Sequence, residues 1–280
     1  MSKIARAPEE REYAFSESEF RFLVKLVSEH TGIVLADHKR DMVYSRLARR
    51  LRALGLQSFA QYCELVQAEQ GGEEMGNLVN AITTNLTSFF REAHHFEHLR
   101  QHVLTPLSTQ ANSGKRLRIW SSACSSGMEP YSIAMTMKSA IPNISSWDAR
   151  ILATDIDTNM LQTGQTGEYN ASDWKNIPAP YRNYAVTEGE RIHMPDELKK
   201  LIAFKHLNLL QHWPIKGPFD VIFCRNVVIY FDKPTQRKLF SRMADVLKPD
   251  GWLYIGHSEN LTNVCDRFEL CGRTIYRRIK

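Results

Sequence analysis

Apolar positions recur with two different periods along this chain, and the change of period divides it. From Ser16 to about Thr84 the spacing is helical throughout. Ser16-Glu17-Ser18-Glu19 offers a capping box ahead of Phe20, Leu23, Val24 and Val27, which share one helical face. Arg40–Leu54 places Val43, Leu47, Leu51 and Leu54 on one face and Arg46, Arg49 and Arg52 opposite. Residues 59–68 and 75–82 predict two more helices, with Gly71-Gly72 as the break between them. Residues 86–107 predict a connecting helix, ended by Pro106 and the polar stretch from Ser108 to Lys115.

Beyond that point short apolar runs alternate with helical segments. Strands are predicted at LRIWSS, ARILATDID, FDVIFC (Phe219–Cys224) and WLYIGH, with helices after the first and over residues 234–247. The last segment, FELCGRTIYRR, predicts an antiparallel edge. This rhythm predicts an α/β fold, a doubly wound and mostly parallel sheet with ligand at its topological switch point. One stretch departs from it: residues 164–206, punctuated by Gly167, Pro178, Pro180, Gly189 and Pro195, predict a small β-hairpin insertion. The expected domains are a flexible tail (1–15), an N-terminal helical domain (16–84), a connecting helix and linker (85–115), and a ligand-binding α/β domain (116–280) with the insertion at about 164–206.

Composition narrows the function classes. The 280 residues are 43% hydrophobic and 24% charged, as in ordinary soluble domains. No apolar run approaches the roughly 18 residues of a membrane span, and the charged N-terminus does not resemble a signal peptide. Five scattered cysteines without a CxxC pair fit reduced thiols in a cytoplasm. The net charge of +5 is modest, but between His38 and Leu54 six cations (Lys39, Arg40, Arg46, Arg49, Arg50, Arg52) face one acid, Asp41. A local docking patch competes there with a merely solvated face.

The candidate chemistry begins in the loop after LRIWSS. It has one glycine, Gly127, where a dinucleotide fingerprint needs three, and an acid, Glu129, at the start of the following helix. A pyrophosphate would be repelled there and a cationic amino group held. An acid closing the second strand, Asp155, suits a ribose diol, while Asp157 is the better candidate for a helix cap. A nucleoside with an amino group and no phosphate, S-adenosylmethionine, is the inferred ligand. Glu129 also suits a helix dipole with no ligand at all. In NLTSFFREAHHF, Asn85, Thr87 and Arg91 read equally as caps or as groups presented to a ligand carboxylate. In CRNVVIYFDKPTQ, Arg225 and Asn226 stand just past a buried strand, and Tyr230 reads equally as core aromatic or site residue. His94, His98 and His102 mimic a metal stripe without an HExxH, so no metal is expected. Cys124 reads as a small loop-lining residue, not a nucleophile.

Taken together, GIVLADHKRDMVYSRLARRLRALGL, TTNLTSFFREAHHF, SGMEPYSIA, LATDID, NLL and FCRNVVIYFD resemble the bacterial chemotaxis receptor methyltransferases, the CheR family, from about Phe20 to Tyr276. That resemblance implies a class I methyltransferase fold and transfer of a methyl group from S-adenosylmethionine to glutamates of chemoreceptor cytoplasmic helices, giving γ-methyl esters. It implies cofactor contacts at Asn85, Thr87, Arg91, Glu129, Asp155, Asn208, Leu209, Arg225 and Asn226, with Arg91 at the methionine carboxylate, Glu129 at the amino group and Asp155 at the ribose. Arg91 and Tyr230 would lie closest to the transferred methyl, and Arg46, Arg49 and Arg52 would dock on acidic receptor helices. A cytoplasmic monomer recruited to receptor arrays is expected, with no nucleic acid, membrane insertion or metal. Two departures stand out. Met128 replaces the first of two acids usual in the family, and the loop Thr187-Glu188-Gly189-Glu190 is shorter than in members that bind a receptor's C-terminal pentapeptide. A catalytically silent cofactor-sensing adaptor and an RNA methyltransferase are the competing readings; the arginine helix lacks the interleaved aromatics the latter would need.

Overall fold

The computed structural model describes residues 11–68, 72–109 and 115–280. The first ten residues of the expected tail, Gly71 of the expected break and residues 110–114 of the polar stretch lie outside them. The chain forms two compact units, Met1–Thr83 and Thr84–Lys280.

In the first unit, α1 (Glu17–Thr31) starts at a complete capping box: Ser16 Oγ accepts from the Glu19 N–H at 3.2 Å, and the Glu19 carboxylate accepts from the Ser16 N–H at 2.6 Å. Then come α2 (Arg40–Leu54), α3 (Phe59–Ala68) and α4 (Glu73–Ile82). Phe20, Leu23, Val43, Leu47, Leu51, Phe59, Tyr62 and Leu78 form their common core. Leu54, expected on the buried face of α2, is 36% exposed because the chain turns away at Gly55 immediately after it. The end of the expected tail is not loose. Phe15 is buried with its ring 4.2 Å from that of Phe59, and Tyr13 meets Phe59 edge-on at 6.3 Å.

The second unit opens without the expected helix. Residues 83–93 are extended and turning, with Phe90 and Glu92 at positive φ (51° and 58°), and helix begins only at α5 (His94–His98). Two side-chain anchors hold the turn: the Phe90 N–H donates to Ser132 Oγ at 3.0 Å, and Arg91 reaches the Leu86 carbonyl at 2.8 Å. Leu86 is left 80% exposed. Pro106 does not end the helix either. The chain widens to a π-helical stretch over Leu99–Leu104 before α6 (Thr105–Thr109), which relieves the clash a proline ring makes with an α-helical carbonyl four residues back. The segment expected as a linker belongs to this unit's core, where Phe89, Phe90, Phe96, Leu99, Val103 and Leu104 cluster with Leu117 and Ile119.

The elements that follow are β1 (Arg116–Ser121), α7 (Met128–Ala140), β2 (Asp148–Asp155), α8 (Thr158–Thr166), β3 (Glu168–Asn170), β4 (Val186–Glu188), β5 (Arg191–His193), α9 (Asp196–Lys199), β6 (Ile202–His206), β7 (Phe219–Cys224), α10 (Lys233–Val246), β8 (Leu247–Ile255), β9 (Phe268–Gly272) and β10 (Ile275–Arg278). Seven of these strands form one sheet in the order β6-β2-β1-β7-β8-β10-β9. Pairing is parallel from β6 to β8 and antiparallel at β10 and β9. The order reverses between β1 and β7, which opens a crevice beyond their carboxyl ends. All of β7 is buried, the pattern of a central parallel strand covered on both faces.

The insertion is an antiparallel sheet, β3-β5-β4, one strand larger than a hairpin. Its expected limits were too wide. The end of α8 lies inside them, and so does β6, whose short half-exposed run belongs to the edge of the main sheet. Its inner face is anchored: Tyr169 packs edge-on against Phe89 at 5.0 Å, and its hydroxyl donates to the Ser126 carbonyl at 2.8 Å.

Candidate functional site

Three parallel strands deliver the site from their carboxyl ends: β1 at Ser121, β2 at Asp155 and β7 at Cys224. The loop from Ser122 to Gly127 leads into α7. Gly127 holds φ +89°, and a Cβ there would lie 2.7 Å from the Gly164 backbone, so this turn and its seat on α8 require glycine. Glu129 follows in the first turn of α7. Its Oε1 accepts from Ser121 Oγ at 2.7 Å, and its Oε2 accepts from Arg225 Nη1 at 2.7 Å.

Arg225 is buried just past β7. Besides Glu129, its guanidinium faces Glu92 Oε2 at 3.4 Å and donates to the Arg91 carbonyl. Two acids thus flank one buried cation, which offsets a desolvation cost that an unpaired charge could not meet. Burial alone would raise the Glu92 carboxyl, but Arg225 and the His257 backbone and ring outweigh it and bring its pKa down to about 2. The Arg225 Nε remains a buried donor with no partner among the described residues. Asn226 follows with φ +57°, its amide 3.4 Å from Glu92 Oε1. Tyr230 is half-buried at the end of a 3₁₀ turn, Val228–Tyr230.

Asp155 closes β2 as a buried carboxylate. Its Oδ2 accepts from the Ser125 N–H at 2.7 Å and its Oδ1 from the Asp157 N–H at 2.9 Å. Burial pushes its carboxyl up to about 6 in spite of those donors. Asp157 caps α8 as expected, accepting from the Asn159 and Met160 N–H groups at 3.0 and 3.2 Å. It also accepts from the Asn85 amide at 2.7 Å, while the Asn85 carbonyl accepts from Ser125 Oγ at 2.9 Å. Asn85 therefore caps no helix; it ties the start of the unit to the loop after β1. Thr87 and Arg91 are half-buried on the same segment.

Asn208 and Leu209 are buried beyond β6, two and three residues after it. The Leu207 N–H donates to the Asp155 carbonyl at 3.0 Å, which brings this segment beside the end of β2. Asn208 Oδ1 accepts from the Leu210 N–H at 2.9 Å, and the Leu209 carbonyl accepts from Trp213 and Arg242.

The donor set fits a nucleoside bearing an amino acid. Each oxygen of Glu129 and Asp155 accepts one hydrogen bond from these partners and keeps capacity for another. Two buried acids and a single glycine suit an ammonium and a diol and repel phosphate, while the orphan Arg225 Nε suits a carboxylate. Cys124 is buried between them with its thiol pushed well above the usual range by burial, as a lining residue would be.

The arginines expected to dock on receptor, Arg46, Arg49 and Arg52, lie on α2 in the first unit. Arg49 and Arg52 are exposed, but Arg46 is half-buried and donates to the carbonyls of Ala81, Ile82 and Thr83 at 3.3, 2.8 and 2.6 Å, closing the C-terminus of α4. Arg50 is paired with the buried Glu74. The free charge of the helix is smaller than its composition implies.

The histidine stripe does not gather. His98 stacks on His102 at 4.4 Å and meets the Tyr254 hydroxyl at 2.9 Å, while His94 meets the Arg273 carbonyl at 3.0 Å. Ligand atoms of Glu92, His94 and His95 do converge within 4.8 Å. Arg225 already supplies the cation beside Glu92, so a metal ion there would face a guanidinium. Glu92 and Glu259, which both accept hydrogen bonds from the loop after β7, escaped sequence reasoning. Glu92 lies in a stretch predicted to be helix, and Glu259 follows the predicted strand WLYIGH with no motif around it.

Residues 85–277 match the family described as CheR methyltransferase, SAM binding domain, and residues 18–83 match its all-alpha domain. The chain is 46% identical over 258 residues to a probable chemotaxis protein methyltransferase of Rhizobium etli, covering 90% of this chain and 96% of that protein. It is 44% identical over 270 residues to the chemotaxis protein methyltransferase of Salmonella typhimurium, covering 94% and 91%. Among solved structures, a geranyl diphosphate C-methyltransferase from Streptomyces coelicolor with bound S-adenosyl-L-homocysteine aligns at 15% identity and a TM-score of 0.34, over 59% of this chain and 45% of that one. With both units matched and relatives above 40% identity over nine-tenths of the chain, this protein belongs to the CheR methyltransferase family and is an S-adenosylmethionine-dependent methyltransferase of chemotaxis.

Proposed function

We propose that the methyl acceptors are glutamate side chains on the cytoplasmic helices of chemoreceptors, and that the product is the γ-methyl ester. The observation that carries the cofactor end of this reading is the pair of buried carboxylates, Glu129 in the first turn of α7 and Asp155 at the end of β2. In it Glu129 receives the amino group, Asp155 the ribose hydroxyls, and Arg91 with the free Nε of Arg225 the carboxylate. Asn85, Thr87, Asn208, Leu209 and Asn226 complete the contacts.

When bound, S-adenosylmethionine supplies an electrophilic methyl on a positively charged sulfur. The acceptor needs no base from the protein, because an exposed glutamate titrates near 4.3 and is ionised at neutral pH. The chain's task is alignment and partial dehydration of that carboxylate without protonating it. Tyr230 can donate its hydroxyl hydrogen to the incoming carboxylate, and Arg91 can balance its charge. On α2, the exposed Arg49 and Arg52 present cations to acidic receptor helices, and Arg46 contributes to that face only from beneath.

Mass mapping of receptor peptides after incubation with enzyme and cofactor tests the assignment. One added methyl on specific glutamates supports it. Methylation confined to lysine or to RNA, or cofactor binding with no transfer to receptor, would overturn it.

A further inference from the structure

The loop after β7 carries three residues of the proposed site, Arg225, Asn226 and Tyr230, and an acid outside that site holds its turn. Glu259 is 6% exposed, and no lysine, arginine or histidine among the described residues forms an ion pair with it. Four backbone N–H groups donate to its carboxylate. Oε2 accepts from Gly256 at 2.5 Å and Asn226 at 3.0 Å; Oε1 accepts from Val227 and Val228, both at 2.9 Å. Three consecutive amides can converge on one anion only if the chain turns sharply, and Asn226 does so in the left-handed region at φ +57°.

We propose that Glu259 is a positioning residue for methyl transfer: its carboxylate fixes the turn at residues 226–228 and thereby aims the Asn226 amide and the Tyr230 hydroxyl. This rests on the reading of Asn226 and Tyr230 given above and deepens it. The turn passes directly into the 3₁₀ segment ending at Tyr230. On its far side Gln236 Nε2 donates to the carbonyls of Val228 and Phe231 at 2.8 and 2.9 Å. Glu259 therefore sets the N–H side of the segment and Gln236 the carbonyl side. Gly256 allows the close approach, since a Cβ there would fall 2.4 Å from the Asn226 side-chain amide nitrogen, 2.8 Å from its backbone nitrogen and 2.9 Å from Glu259 Oε2. A neutral amide cannot substitute at Glu259, because its NH2 would face two N–H donors.

The test uses the full-length enzyme with Glu259→Gln and, separately, Gly256→Ala, which pushes on the same turn while keeping the carboxylate. Amide hydrogen exchange at residues 226–228 should accelerate at least about tenfold in Glu259→Gln, with the amides of β7 unchanged. The kcat for receptor methylation should fall by about tenfold or more, and adding Tyr230→Phe should cause little further loss, because the hydroxyl is already misplaced. Gly256→Ala should accelerate the same exchange, and that readout, not the turnover, carries the test if Glu259→Gln fails to fold, because the new methyl also meets the Asn226 amide directly. Unchanged exchange at 226–228, or losses that multiply in the double variant, would overturn the proposal. A Tyr230→Phe enzyme with wild-type turnover would instead remove Tyr230 from the reading above, and the exchange result would still decide the role of Glu259 in the turn.

Discussion

At the scale of single residues, the site works by placing acids where burial and partners give them different properties. Asp155 is the case with a direct pH signature. Its folded carboxyl titrates at about 6, above the roughly 3.9 of an unfolded chain. Between those values the folded protein holds a proton that the unfolded chain has lost. Its contribution to stability is therefore complete below the unfolded value and lost as pH rises through about 6. Cofactor binding runs the other way, since only the ionised carboxylate accepts from both ribose hydroxyls. Calorimetry of S-adenosylmethionine binding should show affinity falling by up to about tenfold per unit below pH 6. Asp155→Asn should bind weakly with that slope absent, and a flat wild-type profile would contradict the assignment. Tyr230→Phe should lower kcat by about tenfold or more while leaving the cofactor Kd nearly unchanged. Arg91→Ala should do the reverse and weaken Kd first. Asp155, Arg225 and Asn226 stand out in sequence as polar positions at or just past buried strands, whereas Arg91 and Tyr230 take their roles from the family resemblance. What spacing could not show was that Glu129 and Arg225, 96 positions apart, are bonded to each other. Nor could it show that Glu92 completes the pair, because such contacts depend on how three strand ends meet.

At the scale of elements, several strands and helices with a strong period coincide with their predicted runs, while β8 starts at Leu247, five residues before the run WLYIGH. β7 coincides with its predicted run, and α3 spans the predicted residues 59–68. Where a predicted helix is absent, tertiary hydrogen bonds override local preference. Residues 86–93 contain good helix formers, yet bonds from Phe90 to Ser132 and from Arg225 to the Arg91 carbonyl, with Asn85 tied to Asp157 just before them, hold the segment open. β6 escapes the sequence reading because its apolar run, Leu201 to Phe204, is only four residues long and follows the turn-rich insertion without a boundary signal. Helix α2 gives a prediction of its own. Arg46→Ala should destabilise the protein by about 1–2 kcal/mol in thermal or urea unfolding, because the last carbonyls of α4 lose their donor. Arg49→Ala, at an exposed position, should change stability by no more than about 0.5 kcal/mol. Equal effects would mean that Arg46 is not a helix cap.

At the scale of the whole molecule, two units answer to two tasks. The second carries the cofactor site on its sheet, and the first carries the exposed cations proposed to meet the receptor. Among the described residues no helix is long and apolar enough to cross a membrane. Double charge reversal, Arg49→Glu with Arg52→Glu, should raise the apparent KM for receptor membranes by about tenfold, most strongly at low salt, and leave cofactor Kd unchanged. An altered Kd with an unaltered KM would assign those cations elsewhere. The division into a helical part and an α/β part was legible from the change of hydrophobic period alone. The placement of the segment after Thr84 in the second core was not, since its phenylalanines find partners far along the chain.

The acceptor chemistry can be read in one assay. Enzyme, receptor-containing membranes and cofactor labelled in its methyl group are incubated together, the protein is washed, and the label released by alkali is counted as volatile methanol. Carboxyl methyl esters hydrolyse under those conditions, so nearly all protein-bound label should appear as methanol, and Tyr230→Phe should slow its appearance. Label that stays on the protein through base treatment would contradict transfer to glutamate.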